Sequence, residues 1–252
     1  RKLLAWESRL FNLPDWLIAD TEGHADYFHA THGVPRERIR VIPVGAEEAL
    51  FTPQPWPPKP ADVPLELVFF GTFIGLQGVD VLSRAILQYD GPPTHWRLIG
   101  EGPMKAECER LLAPLTRGEG PSRVSFEGWG PLAELPGRLA SADAILGIFG
   151  SSDKALRVIP NKVYQGLAIG RAVITAATPA FPAELRADEE QGLFWARPGD
   201  AGSICGAVVR LHRRRAELQA LGEAARASYA AKFSNRVIAE VLRDLLSQPA
   251  GS

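Results

Sequence analysis

The stretch RVIPNKVYQGLAIGRAVIT, Arg157 to Thr175, carries the punctuation of a helix followed at once by a strand. Pro160 suits the first helical position, where its missing N–H costs nothing, and Gly170 suits the residue just past the helix end. Between them Val163, Leu167 and Ala168 fall on one apolar face, while Lys162 and Gln165, three apart, share another. The β-branched run Ala172 to Thr175 reads as a buried parallel strand. A helix start offers free N–H groups and a positive dipole end, here with Arg157 and Lys162 beside it, which makes a seat for phosphate. An ordinary strand–helix unit with a solvated Lys162 and Gln165 fits the same spacing.

Outward from this stretch the same alternation repeats. Strands are expected at Glu66–Gly71, Trp96–Gly100, Arg123–Phe126, Ala142–Ile148, Ala172–Thr175 and Gly192–Ala196. Helices are expected near 78–88, 103–112, 131–140, 160–168 and 180–187, with further helices from about 200 to 247. Continuous apolar strands alternating with helices predict an α/β fold with a doubly wound, Rossmann-like parallel sheet. In such a sheet ligands bind in the crevice at the carboxyl ends of the strands.

Ahead of it, residues 1–16 are amphipathic as a helix up to Pro14, which reads as a surface helix, with contact to a membrane as the lesser reading. Trp16–Asp20 reads as a strand, a capped helix follows from Thr21, and Arg40–Gly45 gives another strand. His24, Asp26, His29 and His32 on that helix invite a metal, but His24 points away from the other two, so no metal site is expected. Residues 52–64, TPQPWPPKPADVP, hold six prolines and read as an extended linker. The division expected is a short segment 1–51, the linker 52–64, a nucleotide-binding domain 65–213 and C-terminal helices 214–252.

At 252 residues, 46 % hydrophobic and 23 % charged, the chain is ordinary globular material that needs no disulfide staples. A net charge of −1 argues against a nucleic-acid partner held by bulk electrostatics. Two distant cysteines, Cys108 and Cys205, argue against a disulfide framework and suit a reducing cytoplasm. The basic run Arg210–Arg215 reads as a solvated helix face, with an anionic membrane as the minor alternative. A first residue of Arg1 rather than Met suggests a piece of a longer chain.

The run PNKVYQGLAIGRAVIT resembles the P-x-K-x-x-E-x-x-A-x-G-x-P-V-I stretch of the group 1 (family four) retaining glycosyltransferases. The likeness extends over nearly the whole chain. Residues 16–53 are similar to the end of that family's N-terminal domain, with Gly45 in its glycine position and Phe51-Thr52-Pro53 as its F-x-P segment. The resemblance implies a GT-B fold, of which this chain holds mostly the C-terminal, donor-binding half, with most of the N-terminal acceptor domain missing. It implies a nucleotide-diphosphate sugar (UDP-, GDP- or ADP-linked) as donor substrate, no separate cofactor or metal, and a glycan, lipid-linked or small-molecule acceptor. A cytoplasmic enzyme, in peripheral contact with a membrane at most, is the expected setting.

The resemblance also assigns candidate residues. Gly71-Thr72-Phe73-Ile74-Gly75-Leu76-Gln77-Gly78 is similar to the family's G-R-x-x-x-x-K-G turn, whose two cations hold the donor's pyrophosphate; Thr72 and Gln77 stand at those positions here. Replacement charge must come from Arg157, Lys154 or Lys162. Gly100, in Gly100-Glu101-Gly102-Pro103, resembles a second phosphate-side turn. Trp129, after the third strand of the domain, stands where the family's loop meets the base; it stacks on a base or fills a half-buried core position. Of two glutamates eight residues apart, the first falls on Arg157 and the second, which contacts the ribose, on Gln165. Arg157 is therefore the catalytic candidate, stabilising the leaving diphosphate, with Asn161 and Lys162 at the helix start among the donor-binding ones. The activity expected is hexosyl transfer by the whole enzyme, this piece alone being inactive. The rival reading is a non-catalytic, glycosyltransferase-like scaffold, for which the changes at Thr72, Gln77 and Gln165 speak.

Overall fold

The computed structural model describes residues 2–56, 59–60, 62–120 and 122–247. Residues 2–41 form a small unit of α1 (Lys2–Phe11), β1 (Leu17–Ala19), α2 (Glu22–His32) and β2 (Ile39–Val41). The two strands pair in parallel, Leu17 opposite Ile39, around a minor apolar cluster of Ala19, Ala25, Val34 and Ile39. Thr21 caps α2 by accepting from His24 N, and Gly33 ends it in the left-handed region at φ 67°. The histidines of this helix are taken up locally: His24 with Asp20, His29 with the Val34 carbonyl, His32 with Ser8. Phe11 of α1 packs edge-on against Phe28 and His32, while Leu3, Trp6 and Leu10 stay half exposed or more.

The larger unit runs through β3 (Leu65–Phe70), α3 (Val79–Gln88), β4 (Thr94–Ile99), α4 (Lys105–Thr116), β5 (Arg123–Glu127), α5 (Leu135–Leu139) and β6 (Ala144–Leu146). It continues with α6 (Asp153–Leu156), α7 (Asn161–Ala168), β7 (Ala172–Ala176), β8 (Leu193–Ala196), α8 (Ala201–Arg213), α9 (Leu218–Lys232) and α10 (Asn235–Ser247). Its six strands form one parallel sheet in the order β5-β4-β3-β6-β7-β8. That is the doubly wound order, which reverses direction between β3 and β6.

Strand alternation explains the two-sided burial. On β3, Leu65, Leu67 and Phe69 enter one core with Leu82 and Ile86 of α3, Leu112 of α4 and Val208 of α8. Val68 and Phe70 enter the other, with Leu139 of α5, Val163 and Leu167 of α7 and Ala225 of α9. Both faces are covered, so the strands read as continuous apolar runs, as parallel sheets require.

Several expected elements differ in extent. The helix expected over 180–187 is a single 3₁₀ turn, Ala183–Leu185, because Pro179 and Pro182 remove donors that a helix there would use. The helix expected over 131–140 divides into a 3₁₀ turn, Leu132–Glu134, and the five-residue α5, around Pro136 and Gly137. The strands near 40–45 and 142–148 shrink to three residues each. The short α6, capped by Ser152, has no counterpart in the sequence reading.

The proline-rich segment is fastened to the sheet domain rather than free of it. Gln54 N donates to the Ile169 carbonyl at 3.1 Å. Arg171, 1 % exposed, donates to the carbonyls of Gln54, Pro55 and Ala140 and lies over the Trp56 ring. Lys59 bonds the buried Asp143 at 2.9 Å. Arg210, Arg214 and Arg215 of the basic run are engaged with Glu189, with Glu190 and Glu217, and with the Pro60 carbonyl. Among the described residues no helix is long and apolar enough to cross a membrane.

Candidate functional site

The reversal of strand order leaves a crevice between the carboxyl ends of β3 and β6, and both following segments are drawn tightly together there. Gly78, at φ 69°, closes a 3₁₀ turn and opens α3. A Cβ at that position would stand 2.4 Å from Gly150 N, so only glycine permits this approach. Phe149 N donates to the Gln77 carbonyl at 3.0 Å, stitching the β3 turn to the segment after β6.

Into this junction α7 delivers Lys162. Its amine donates to Gln77 Oε1 and lies 3.7 Å from the centre of the Phe69 ring. A Cβ built on Gly71 would stand 2.6 Å from Gln77 Oε1 and 2.8 Å from Lys162 Nζ, so all three residues meet. Lys162 is 5 % exposed. Its hydrogen-bond partner among the described residues is a neutral amide, and burial drives its pKa well below 10.5. Among the described residues the amine has no carboxylate partner, so burial favours its neutral form until an anion is brought to it.

The other predicted residues divide into two groups around this point. Thr72 is exposed on the same turn and Gln77 is half buried. Gly100 lies against that turn, since a Cβ there would be 2.0 Å from the Gly71 carbonyl oxygen and 3.3 Å from the Trp129 ring. Trp129 is 52 % exposed. Asn161, exposed, is the first residue of α7, whose N-cap Pro160 supplies no side-chain cap. The N–H groups of this turn are thus free of a capping side chain.

Arg157 contacts the N-terminal unit, and Gln165 the loop that follows it. The Arg157 guanidinium lies 3.9 Å over the Tyr27 ring of α2, its carbonyl accepts from Thr21 Oγ1 at 2.5 Å, and its Nε is buried without a partner. Lys154 is exposed on α6. Gln165, 6 % exposed, donates through Nε2 to Glu47 Oε2 at 3.1 Å. Sequence reasoning missed Glu47 because no local signal ties it to a residue 118 positions away.

A separate cleft of about 480 Å³ opens between Asp20, Thr21, Val41 and Pro43 on one side and Pro179–Glu184, Lys232 and Phe233 on the other. None of the predicted site residues lines it. Among the described residues the switch point joins strand termini, an uncapped helix start and a buried amine, which makes it the candidate ligand site.

The fold is a GT-B-type domain built on a doubly wound parallel sheet. Residues 64–214, more than half of the chain, match the family model described as glycosyl transferases group 1. The chain belongs to that family.

It is 26 % identical over 219 residues to the "Putative colanic acid biosynthesis glycosyltransferase WcaL" of Escherichia coli (strain K12), an alignment covering 85 % of this chain and 52 % of that protein. Its fold is similar to that of sucrose-phosphate synthase from Thermosynechococcus elongatus, with a TM-score of 0.74 at 21 % identity, over 97 % of this chain and 61 % of that one. HepE of Anabaena, in complex with UDP, gives a TM-score of 0.76 at 18 % identity, over 98 % of this chain and 67 % of that one. The chain spans about half the length of its curated relative.

Proposed function

We propose that this chain is the donor-binding half of a retaining glycosyltransferase that moves a sugar from a nucleotide diphosphate to a glycan, lipid-linked or small-molecule acceptor in the cytoplasm. The observation that carries the reading is Lys162, buried at the switch point beside Gly71 and Gln77 with no carboxylate partner among the described residues. It brings to the β3 turn a positive group that Thr72 and Gln77 do not provide.

In this reading the diphosphate lies across the β3 turn and the start of α7, bonded by the N–H groups of Asn161 and Lys162 and by the Lys162 amine in its ammonium form, Val163 N being taken by the Pro160 carbonyl. Fixed dipoles and one buried cation stabilise the charge that develops as the sugar departs. Arg157 adds a second cation by leaving the Tyr27 ring, and Trp129 stacks on the base. UDP is the nucleotide favoured, since HepE is a neighbour in fold whose structures hold UDP and UDP-glucose.

Calorimetric titration with UDP, GDP and ADP tests this directly. One nucleotide is expected to bind saturably, and Lys162→Ala and Arg157→Ala are each expected to weaken it about tenfold or more, ~1.4 kcal/mol. A folded sample that binds none of the three overturns the reading in favour of a non-catalytic scaffold, for which the neutral residues Thr72, Gln77 and Gln165 are the evidence.

A further inference from the structure

Glu47 reaches the candidate site from outside the sheet domain. It lies in the loop after β2, and its Oε2 accepts from the side-chain amide of Gln165 at 3.1 Å. Its other oxygen has no hydrogen-bond partner among the described residues, and the residue is exposed. Gln165 follows Lys162 by three residues on the same side of α7, which thus meets both the β3 turn and this loop.

The placement of Glu47 is built rather than incidental. Ala46 N donates to the Tyr229 hydroxyl at 3.0 Å, and that hydroxyl donates to Glu48 Oε1 at 3.1 Å. Asn235 N, at the start of α10, donates to the same Glu48 oxygen at 2.8 Å. Gly45 takes φ 72° beneath Phe233, where a Cβ would stand 2.7 Å from the Phe233 carbonyl oxygen. The corner between α9 and α10 thus holds the loop, and Glu47 N-terminal to Glu48 is aimed at α7. The Glu47 carbonyl also accepts from Leu50 N and Phe51 N, closing the loop on itself.

We propose that Glu47 is a donor-binding residue whose carboxylate accepts from the ribose diol of the nucleotide. The inference rests on the donor-site reading above. A vicinal diol presents two O–H donors and needs two acceptors. With Nε2 committed to Glu47, the amide of Gln165 keeps Oε1 as an acceptor, and Glu47 keeps a charged one. Hydrogen bonds to an ionised acceptor are roughly twice as strong as neutral ones, so the carboxylate supplies most of the selectivity for a ribose.

The test is calorimetry of the full chain with UDP and 2′-deoxy-UDP, for the parent and for Glu47→Gln, which keeps the side chain's size. The parent is expected to favour UDP about tenfold or more. Glu47→Gln is expected to erase that preference by weakening UDP alone, leaving 2′-deoxy-UDP within about twofold of the parent. Equal weakening of both ligands, or no weakening of either, overturns the role of Glu47 while leaving the donor site standing. A parent that binds neither UDP, GDP nor ADP overturns the donor-site reading itself. Thermal unfolding of the variant separates loss of fold from loss of contact, and Glu47→Ala repeats the comparison without an amide that pairs with Gln165.

Discussion

Lys162 and Gln77 meet across the switch point, the lysine amine donating to the amide oxygen with the Phe69 ring 3.7 Å beneath it. Among the described residues, those that pack around the amine contribute no opposing charge. β3 presents Phe69 and Phe70, the turn Gly71–Gly78 contains no ionisable side chain, and Asp153 and Lys154 of α6 are exposed.

That environment makes stability depend on pH in a definite direction. Burial lowers the folded-state pKa of Lys162 below its unfolded value. Between those two values the unfolded chain binds more protons, so this group's contribution to stability rises with pH. The cost is full below the folded pKa and gone above 10.5. Lys162→Met is therefore expected to stabilise the ligand-free chain at neutral pH, with the gain shrinking toward pH ~10.5. Urea unfolding of both proteins at the two pH values measures this; a gap independent of pH would mean the amine folds with its ordinary basicity.

Arg171 holds the proline-rich segment to the sheet domain. It is fully buried, has no ion-pair partner among the described residues, and burial lowers its pKa to about 10. Its bonds run to backbone carbonyls of Gln54, Pro55 and Ala140. Arg171→Leu strands several buried acceptors at once and is expected to cost about 3 kcal/mol or more. Denaturant unfolding gives the size, and limited proteolysis should show new cleavage between residues 52 and 60.

Gly100 has no room for a side chain and sits at φ 138°. Its Cβ would press on the Gly71 carbonyl, the backbone of the turn that meets Lys162. Gly100→Ala is expected to cost about 2 kcal/mol or more and to weaken nucleotide binding beyond what the lost stability explains. Binding that stays at the parent level in a folded Gly100→Ala protein would detach this turn from the ligand.

Trp129 separates the two readings of an exposed aromatic. Half exposed, it contributes little to the core, so Trp129→Ala is expected to change stability by no more than about 1 kcal/mol. Stacking on a base would make the same change cost about 1–3 kcal/mol of nucleotide affinity. A large loss of stability with unaltered affinity would return Trp129 to a packing role.

Legibility in the sequence followed the range of the interaction that set each feature. The six strands of the larger unit were readable because β-branched and apolar runs with glycine or proline boundaries are local signals. The helix expected over 180–187 is the 3₁₀ turn Ala183–Leu185, since Pro179 and Pro182 just before it withhold the donors of a longer helix. Within the site, Lys162 and Gln165 could be placed on one helical face from their spacing, yet their separate destinies, Gln77 for one and Glu47 for the other, could not.

By itself the sequence determined the α/β alternation, the buried strands, and a helix start near Pro160, which the structure makes the N-cap of α7 rather than its first residue. Periodicity and backbone stereochemistry act within a few residues, so they are written locally. Only the tertiary structure decided which cation reaches the β3 turn, that Arg157 rests on Tyr27, and that a loop near residue 47 completes the face of α7. Those outcomes depend on pairs 85, 130 and 118 residues apart, Lys162 with Gln77, Arg157 with Tyr27 (157 − 27) and Gln165 with Glu47, brought together when both faces of the sheet are buried.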